Sequence, residues 1–304
     1  MKKIDLAKEL IKNNLEIFKC PVCSEPMLLK GSSLICLKRH CFDLANKGYL
    51  NLLTNPVHSK YGKQMLTSRK IIAQHGFFQL PIEQVGKIIL KKIKNRKVQT
   101  KFRILDAGCG EGSNLASILA YLHSKAPFDF IGIGLDISRE GISIASGSYP
   151  GNIWVVADLT ACPFIDKQFD IIINILSPSN YEEFKRILKD SGLLIKVIPG
   201  PGYLQEIRKT FYHQKERQEY CNEEIITLLE KNFNIVSRKR LIYKRELSQD
   251  ELIPLMEMTP LSWNINKKDM EDIRKKRYLE MKQVTIDLAI LAGSKPIGRN
   301  NRSA

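Results

Sequence analysis

The chain has 304 residues, enough for one medium domain and a smaller companion, and its 43% apolar and 26% charged residues are an ordinary balance for a protein with a full core. No apolar run approaches the ~18 residues that span a bilayer. An odd count of 7 cysteines, with no export signal, argues against a disulfide framework and for a reducing cytoplasm. The formal net charge of +16 is unevenly spread: residues 1–100 carry 19 Lys and Arg against 6 Asp and Glu, residues 101–304 carry 29 against 26. That asymmetry fits a front end that binds a polyanion.

Residues Met1 to Phe18 alternate Lys with Leu and Ile, which predicts an amphipathic helix and not a signal peptide. Cys20-Pro-Val-Cys23 follows and, after twelve intervening residues, Cys36-Leu-Lys-Arg-His40, a C-x2-C…C-x3-H pattern. Cys20, Cys23, Cys36 and His40 make a closed tetrahedral set suited to structural zinc, with Gly31-Ser-Ser as the turn of a small hairpin between the pairs. So short a segment buries little apolar surface, so the metal supplies most of its folding free energy. Cys41 is a less favourable substitute for His40. A closed set leaves no position for water, which argues against catalytic zinc; four cysteine and histidine residues spaced by accident is the plainer alternative.

Beyond the loop Asn55-Pro-Val-His-Ser-Lys60, the spacing of Met65, Ile71 and Ile72, then Ile82, Val85, Ile89 and Ile93, predicts helix over 64–94, broken near Gly76 and Pro81. The basic run Lys91 to Lys97 suits a solvated linker or an RNA-facing edge. Strands are expected near 102–106, 129–136, 153–157, 169–176 and 192–198, with helices between them. A final strand pair is expected at Asn234-Ile-Val-Ser and Val284 to Leu291, with a charged helical insertion at roughly 247–280 and a basic, disordered tail from Gly293.

The first of these strands, from Phe102, runs into a turn carrying Gly108, Gly110 and Gly112, where the lack of side chains lets backbone approach a ligand closely. The second ends in Asp136. A glycine turn after one strand and an acid at the tip of the next hold a nucleoside in a doubly wound sheet. A dinucleotide fingerprint would place a third glycine where Ser113 stands, and has no acid at Asp106; no Gly-Lys-Ser or Gly-Lys-Thr of a P-loop occurs. Asp106 to Gly112 instead resembles the first motif of class I S-adenosylmethionine (SAM) methyltransferases. Asn174 to Ser179, at the fourth strand tip, faces where a target would enter. Cys162-Pro163 has the look of a carbon-5 methyltransferase nucleophile but falls in a loop ahead of that strand. His75, His123 and His213 carry no assigned role.

The order of segments over about residues 17–292 resembles the 23S rRNA (guanine-N1)-methyltransferase family, of the RlmA/RrmA type. The likeness rests on Cys20 to Asp43, Gly48 to Leu53, Asp106 to Gly112, Gly134 to Ser138, Pro199 to Leu204 and Met258 to Trp263. It implies an α/β fold: a class I SAM-methyltransferase Rossmann-like sheet with a small N-terminal zinc-ribbon domain. It also implies SAM and zinc as cofactors, guanine N1 in a domain II hairpin of 23S rRNA as target, a cytoplasmic homodimer and no membrane partner. The corresponding division is an RNA-recognition zinc module at 1–60, a helical basic linker at 61–100, a SAM domain at 101–292 and a tail at 293–304.

Carried over by position, the resemblance makes Cys20, Cys23, Cys36 and His40 the zinc ligands. Asp106, Gly108, Gly110 and Glu111 line the methionine end of SAM, Asp136 takes its ribose hydroxyls, Asp158 lies near its adenine amine, and Ile137 is a further cofactor-binding position. Phe78 and Tyr203 stand beside the cofactor, each at or next to a position where relatives carry His. A second departure is Tyr61-Gly-Lys63, where relatives carry an acidic stretch. No general base is apparent. The alternatives are a small-molecule SAM methyltransferase with an incidental zinc knuckle, and a non-catalytic zinc-dependent RNA-binding protein with a vestigial SAM pocket.

Overall fold

The computed structural model describes residues 2–55, 62–94, 101–211, 221–259 and 281–296. The chain opens with α1 (Lys3–Lys12), which buries Ala7 and Ile11, and a single 3-10 turn at Leu15–Ile17. The helix stops short of Phe18, where Asn14 turns its side-chain amide back onto the Leu10 carbonyl at 2.9 Å. A small antiparallel sheet follows, β1 (Met27–Lys30), β2 (Ser33–Cys36) and β3 (Cys41–Asp43), in the order β1-β2-β3. Lys30 pairs with Ser33, so two residues make the hairpin turn, and Gly31 takes the left-handed φ of +60° that such a turn demands.

The main sheet holds eight strands in the order β10-β11-β9-β8-β5-β6-β7-β4. They are β4 (Tyr49–Asn51), β5 (Lys101–Ala107), β6 (Asp129–Asp136), β7 (Ile153–Val156), β8 (Phe169–Ile175), β9 (Leu188–Pro199), β10 (Asn234–Glu246) and β11 (Gln283–Ser294). From β4 to β9 the pairings are parallel; β11 runs antiparallel between β9 and β10. Both faces are covered, so the inner strands are apolar throughout: Ile104 joins one core and its neighbour Leu105 the other. Chain order reverses between β5 and β8, and at such a switch point the crevice beyond the strand ends is where a ligand sits.

The helices are α2 (Lys63–Gln74), α3 (Gln79–Ile93), α4 (Ser113–Lys125), α5 (Arg139–Ser148), α6 (Tyr181–Ile187), α7 (Gln205–Phe211), α8 (Glu223–Asn232) and α9 (Gln249–Glu257). None among the described residues is long and apolar enough to cross a membrane.

The structure corrects several expectations. The sequence predicts a helical basic linker over 61–100; α2 and α3 are helices there, but they lie in the core through Ile72, Phe77, Phe78, Val85 and Ile89. The basic run misled because Lys91 and Lys92 sit on the outer face of α3, opposite that apolar stripe. Gly76, at φ +76°, does separate the two helices, whereas Pro81 falls in the first turn of α3, where a missing N–H costs nothing. β10 extends to Glu246, its charges tolerated because it is the sheet edge. β11 runs through Gly293 to Ser294, past the point where a tail was expected; residues 297–304 and most of the 247–280 insertion lie outside the described residues.

The zinc module is not tethered loosely. Lys19 N–H donates to the Pro163 carbonyl at 3.1 Å and Ile165 N–H to that of Ile17 at 2.8 Å, while the Phe18 and Phe164 rings stand 5.7 Å apart. β4, within the first 60 residues, is the far edge strand of the main sheet. Cys20 and Leu34 thus share a core with Leu105, Leu135 and Phe184.

Candidate functional site

The four predicted metal ligands converge: one donor atom from each of Cys20, Cys23, Cys36 and His40 lies within 4.8 Å of all the others. Cys23 Sγ is 3.7 Å from Cys36 Sγ, and His40 Nδ1 is 3.4 Å from Cys36 Sγ and 3.5 Å from Cys20 Sγ. Tetrahedral zinc with bonds of about 2.3 Å sets its sulfurs about 3.8 Å apart, so the cage fits that ion. Each knuckle closes through a residue with positive φ, Ser24 at +62° and Arg39 at +66°. Cys41 is exposed, with its sulfur 3.9 Å from Asp43 Oδ1, and stands outside the cage.

The glycine turn lies at the switch point. Gly108 has φ +81°, and a Cβ there would stand 1.9 Å from Ser177 Oγ; Gly112 has φ +86°, and its Cβ would be 2.6 Å from the Trp154 ring. Both positions therefore require glycine, for conformation and for room. Gly110 is buried and faces α2, with Arg69 Nη1 the nearest atom at 3.8 Å from such a Cβ.

Three acids surround the turn. Asp106, at the end of β5, is almost fully buried, and its Oδ2 has no hydrogen-bond partner. Burial, reinforced by Asp136 and Glu111 and opposed by Arg69, pushes its carboxyl up to about 7. Asp136 ties the turn to the next strand: its Oδ2 accepts from Gly110 N–H and its Oδ1 from Ser138 N–H, both at 2.8 Å. Burial raises this carboxyl too, against those backbone donors and Arg69. Glu111 is turned inward, accepting from Ser113 Oγ at 2.6 Å and Ser113 N at 3.1 Å at the start of α4, where a helix N-terminus favours an anion. Ile137 follows Asp136, half-buried. Asp158 lies just past β7, next to β6, and its Oδ1 accepts from Thr160 N–H at 2.8 Å.

Of the two predicted aromatics, Tyr203 is drawn toward the site: burial raises its hydroxyl, while the Arg69 cation close by opposes that. Phe78 packs edge-on against Phe77, ring centroids 5.1 Å apart, inside the core beneath the α2–α3 turn.

The loop after β8 meets the glycine turn through Ser177. Lys196, on β9 and buried, donates its ammonium to the Asn174 side-chain oxygen, to the Ser177 carbonyl at 2.5 Å and to Ser179 Oγ at 2.8 Å. Burial brings its pKa down to about 8. Asn174 in turn donates to the carbonyls of Ala107, at 2.6 Å, and Pro178, at 3.0 Å. This network holds Leu176 at φ +52°, an uncommon conformation for a bulky residue that concentrates at functional loops. Cys162, by contrast, is buried with its thiol pushed up to about 12, so it stays protonated and is no nucleophile.

Sequence reading missed Arg69 and Lys196. For Arg69 one local signal existed, a cation on the same helical stripe as buried Leu66 and Ile72. Lys196 sits in a run that is buried on both sides, and nothing in its spacing marks it.

Comparison with known proteins agrees with both halves of this geometry. The family described as "RlmA, N-terminal" matches residues 18–63, and the family described as "Methyltransferase domain" matches residues 104–192. The Bacillus subtilis (strain 168) protein named "Putative 23S rRNA (guanine-N(1)-)-methyltransferase YxjB" is 38% identical over 286 residues, 93% of this chain and 98% of that protein. The Streptomyces fradiae "23S rRNA (guanine(748)-N(1))-methyltransferase" is 26% identical over 255 residues, 83% and 88% of the two chains. The cofactors are accordingly SAM and zinc, the latter matched by the cysteine–histidine cage. The chain belongs to the 23S rRNA (guanine-N1)-methyltransferase family.

Proposed function

We propose that this chain transfers the methyl group of SAM to N1 of a guanine in a hairpin of domain II of 23S rRNA, as a cytoplasmic homodimer. The zinc module grips the RNA and the large sheet holds SAM. The observation that carries this reading is likeness along nearly the whole length of a relative named for the reaction, with the zinc cage and the glycine turn both formed. The excess of positive charge in residues 1–100 supports RNA as the partner of the front end.

In this reading the methionine end of SAM lies along Gly108 and Gly110, its ammonium on the unpartnered Asp106 Oδ2. Each Asp136 oxygen spends one acceptor site on a backbone N–H and keeps another for a ribose hydroxyl, next to Ile137. Asp158 borders the adenine and Tyr203 closes the pocket, while Phe78, packed on Phe77 in the core, backs it. Glu111 lines the methionine end as well, its carboxylate held in place by one hydrogen bond from Ser113 to each oxygen.

SAM supplies an electrophilic methyl group, so the protein's work is alignment of donor and acceptor. Guanine N1 carries a proton at neutral pH and lies on the Watson–Crick edge, so the base must leave its pairing and give up that proton. The loop Leu176–Ser179, fixed by Lys196 against the glycine turn, forms the floor on which the base lands.

The test is full-length, zinc-loaded protein with labelled SAM and unmodified 23S rRNA, followed by primer extension, because a methyl on N1 blocks pairing. Label in the RNA with a new stop at one guanine is expected. Label without a stop excludes N1, and tight RNA binding without label leaves only the RNA-binding reading. Light scattering at micromolar concentration checks the dimer; a monomeric mass discards it.

A further inference from the structure

Arg69 comes from α2, outside the segment that matches the methyltransferase family, yet it reaches the glycine turn. Its Nε stands 3.8 Å from Glu111 Oε1, an ion-pair distance but too long for a hydrogen bond, and this buried atom has no hydrogen-bond partner. Glu111 cannot move to complete the pair without leaving Ser113. Around the same turn, Asp106 Oδ2 is a buried acceptor with no partner. One unmet donor on a cation and one unmet acceptor on an anion thus stand at the same glycine turn, near enough for the Arg69 charge to oppose the upward shift of the Asp106 carboxyl.

Buried polar groups left unmet are rare because they are costly, and a ligand that satisfies them is a common reason for their survival. The methionine end of SAM is a zwitterion, with an ammonium and a carboxylate on one carbon. We propose that Arg69 binds the α-carboxylate of SAM and so sets the methionine end in register with the glycine turn. This rests on the SAM reading of the pocket and adds a positioning residue to it. The placement of Arg69 depends in turn on α9, because Ser68 and Gln64, on the same helix, donate to Glu257 at 2.6 and 3.0 Å.

The test uses calorimetry of the full-length, zinc-loaded protein with S-adenosylhomocysteine and with its decarboxylated counterpart, which keeps the amine and loses only the carboxylate. Wild type is expected to prefer the intact ligand by about 10- to 100-fold, the range for one charge-assisted contact. Arg69→Met should erase that preference by weakening only the intact ligand, and Arg69→Lys should keep part of it. Equal binding of the two ligands by wild type overturns the proposal without any variant. Equal weakening of both by Arg69→Met does so as well, since Arg69 would then only brace the turn. Failure of wild type to bind S-adenosylhomocysteine at all would instead sink the SAM reading.

Discussion

Asp106 is where burial turns into a measurable pH dependence. Its folded carboxyl titrates near 7, above the ordinary value near 4, so between about pH 4 and 7 the folded, ligand-free protein holds a proton that the unfolded chain does not. This contribution to stability is present in acid and is lost as pH rises through 7. The proposed contact with the SAM ammonium requires the ionised form, so affinity for S-adenosylhomocysteine should rise about tenfold per unit from pH 5 to 7, with release of a proton. Calorimetry in buffers of different ionisation enthalpy measures that proton; Asp106→Asn should remove it, and a flat profile in wild type would refute the role. The acid, the glycines and the four zinc ligands were legible from the sequence because each set is defined by spacing within a short stretch. Arg69 was not, because what gives it meaning is Glu111 and Gly110, brought to it only when α2 folds over the turn.

At the scale of elements, strand and helix positions followed from apolar periodicity wherever an element has a buried face, and failed where charge hid it. The end of α3 is helix to Ile93 as its spacing predicts, but its lysines also suit a linker, and the edge strand β10 runs well past the short strand expected there. The zinc module was legible as a unit, but its attachment was not. Because Cys20 and Leu34 share a core with Leu135 and Phe184, loss of the metal should uncover one face of the large sheet. Removing zinc with a chelator is expected to lower the melting temperature of the whole chain by about 10 °C in a single transition. Two transitions, the upper one unmoved, would mean that the module unfolds independently.

For the molecule as a whole, charge and topology act together. RNA binding by the basic front end should fall with salt, with log K changing by about 0.7–0.9 per phosphate contact per decade. Lys38 and Arg39, exposed on the second zinc knuckle, are suited to such contacts. Lys38→Gln with Arg39→Gln should weaken RNA binding and reduce that slope by between one and two contacts, measured by filter binding across a salt series. An unchanged slope would move the RNA footprint off the knuckle. From the sequence alone came the zinc set, the glycine turn, the parallel strands and the family, because each is written in local spacing or in the order of motifs along the chain. Only the tertiary structure decided that zinc module, helices and sheet share one body, that Arg69 reaches the glycine turn, and that Lys196 braces the loop beside it. Burial and ion pairing between distant residues arise from how surfaces meet, and spacing along a chain carries no record of that meeting.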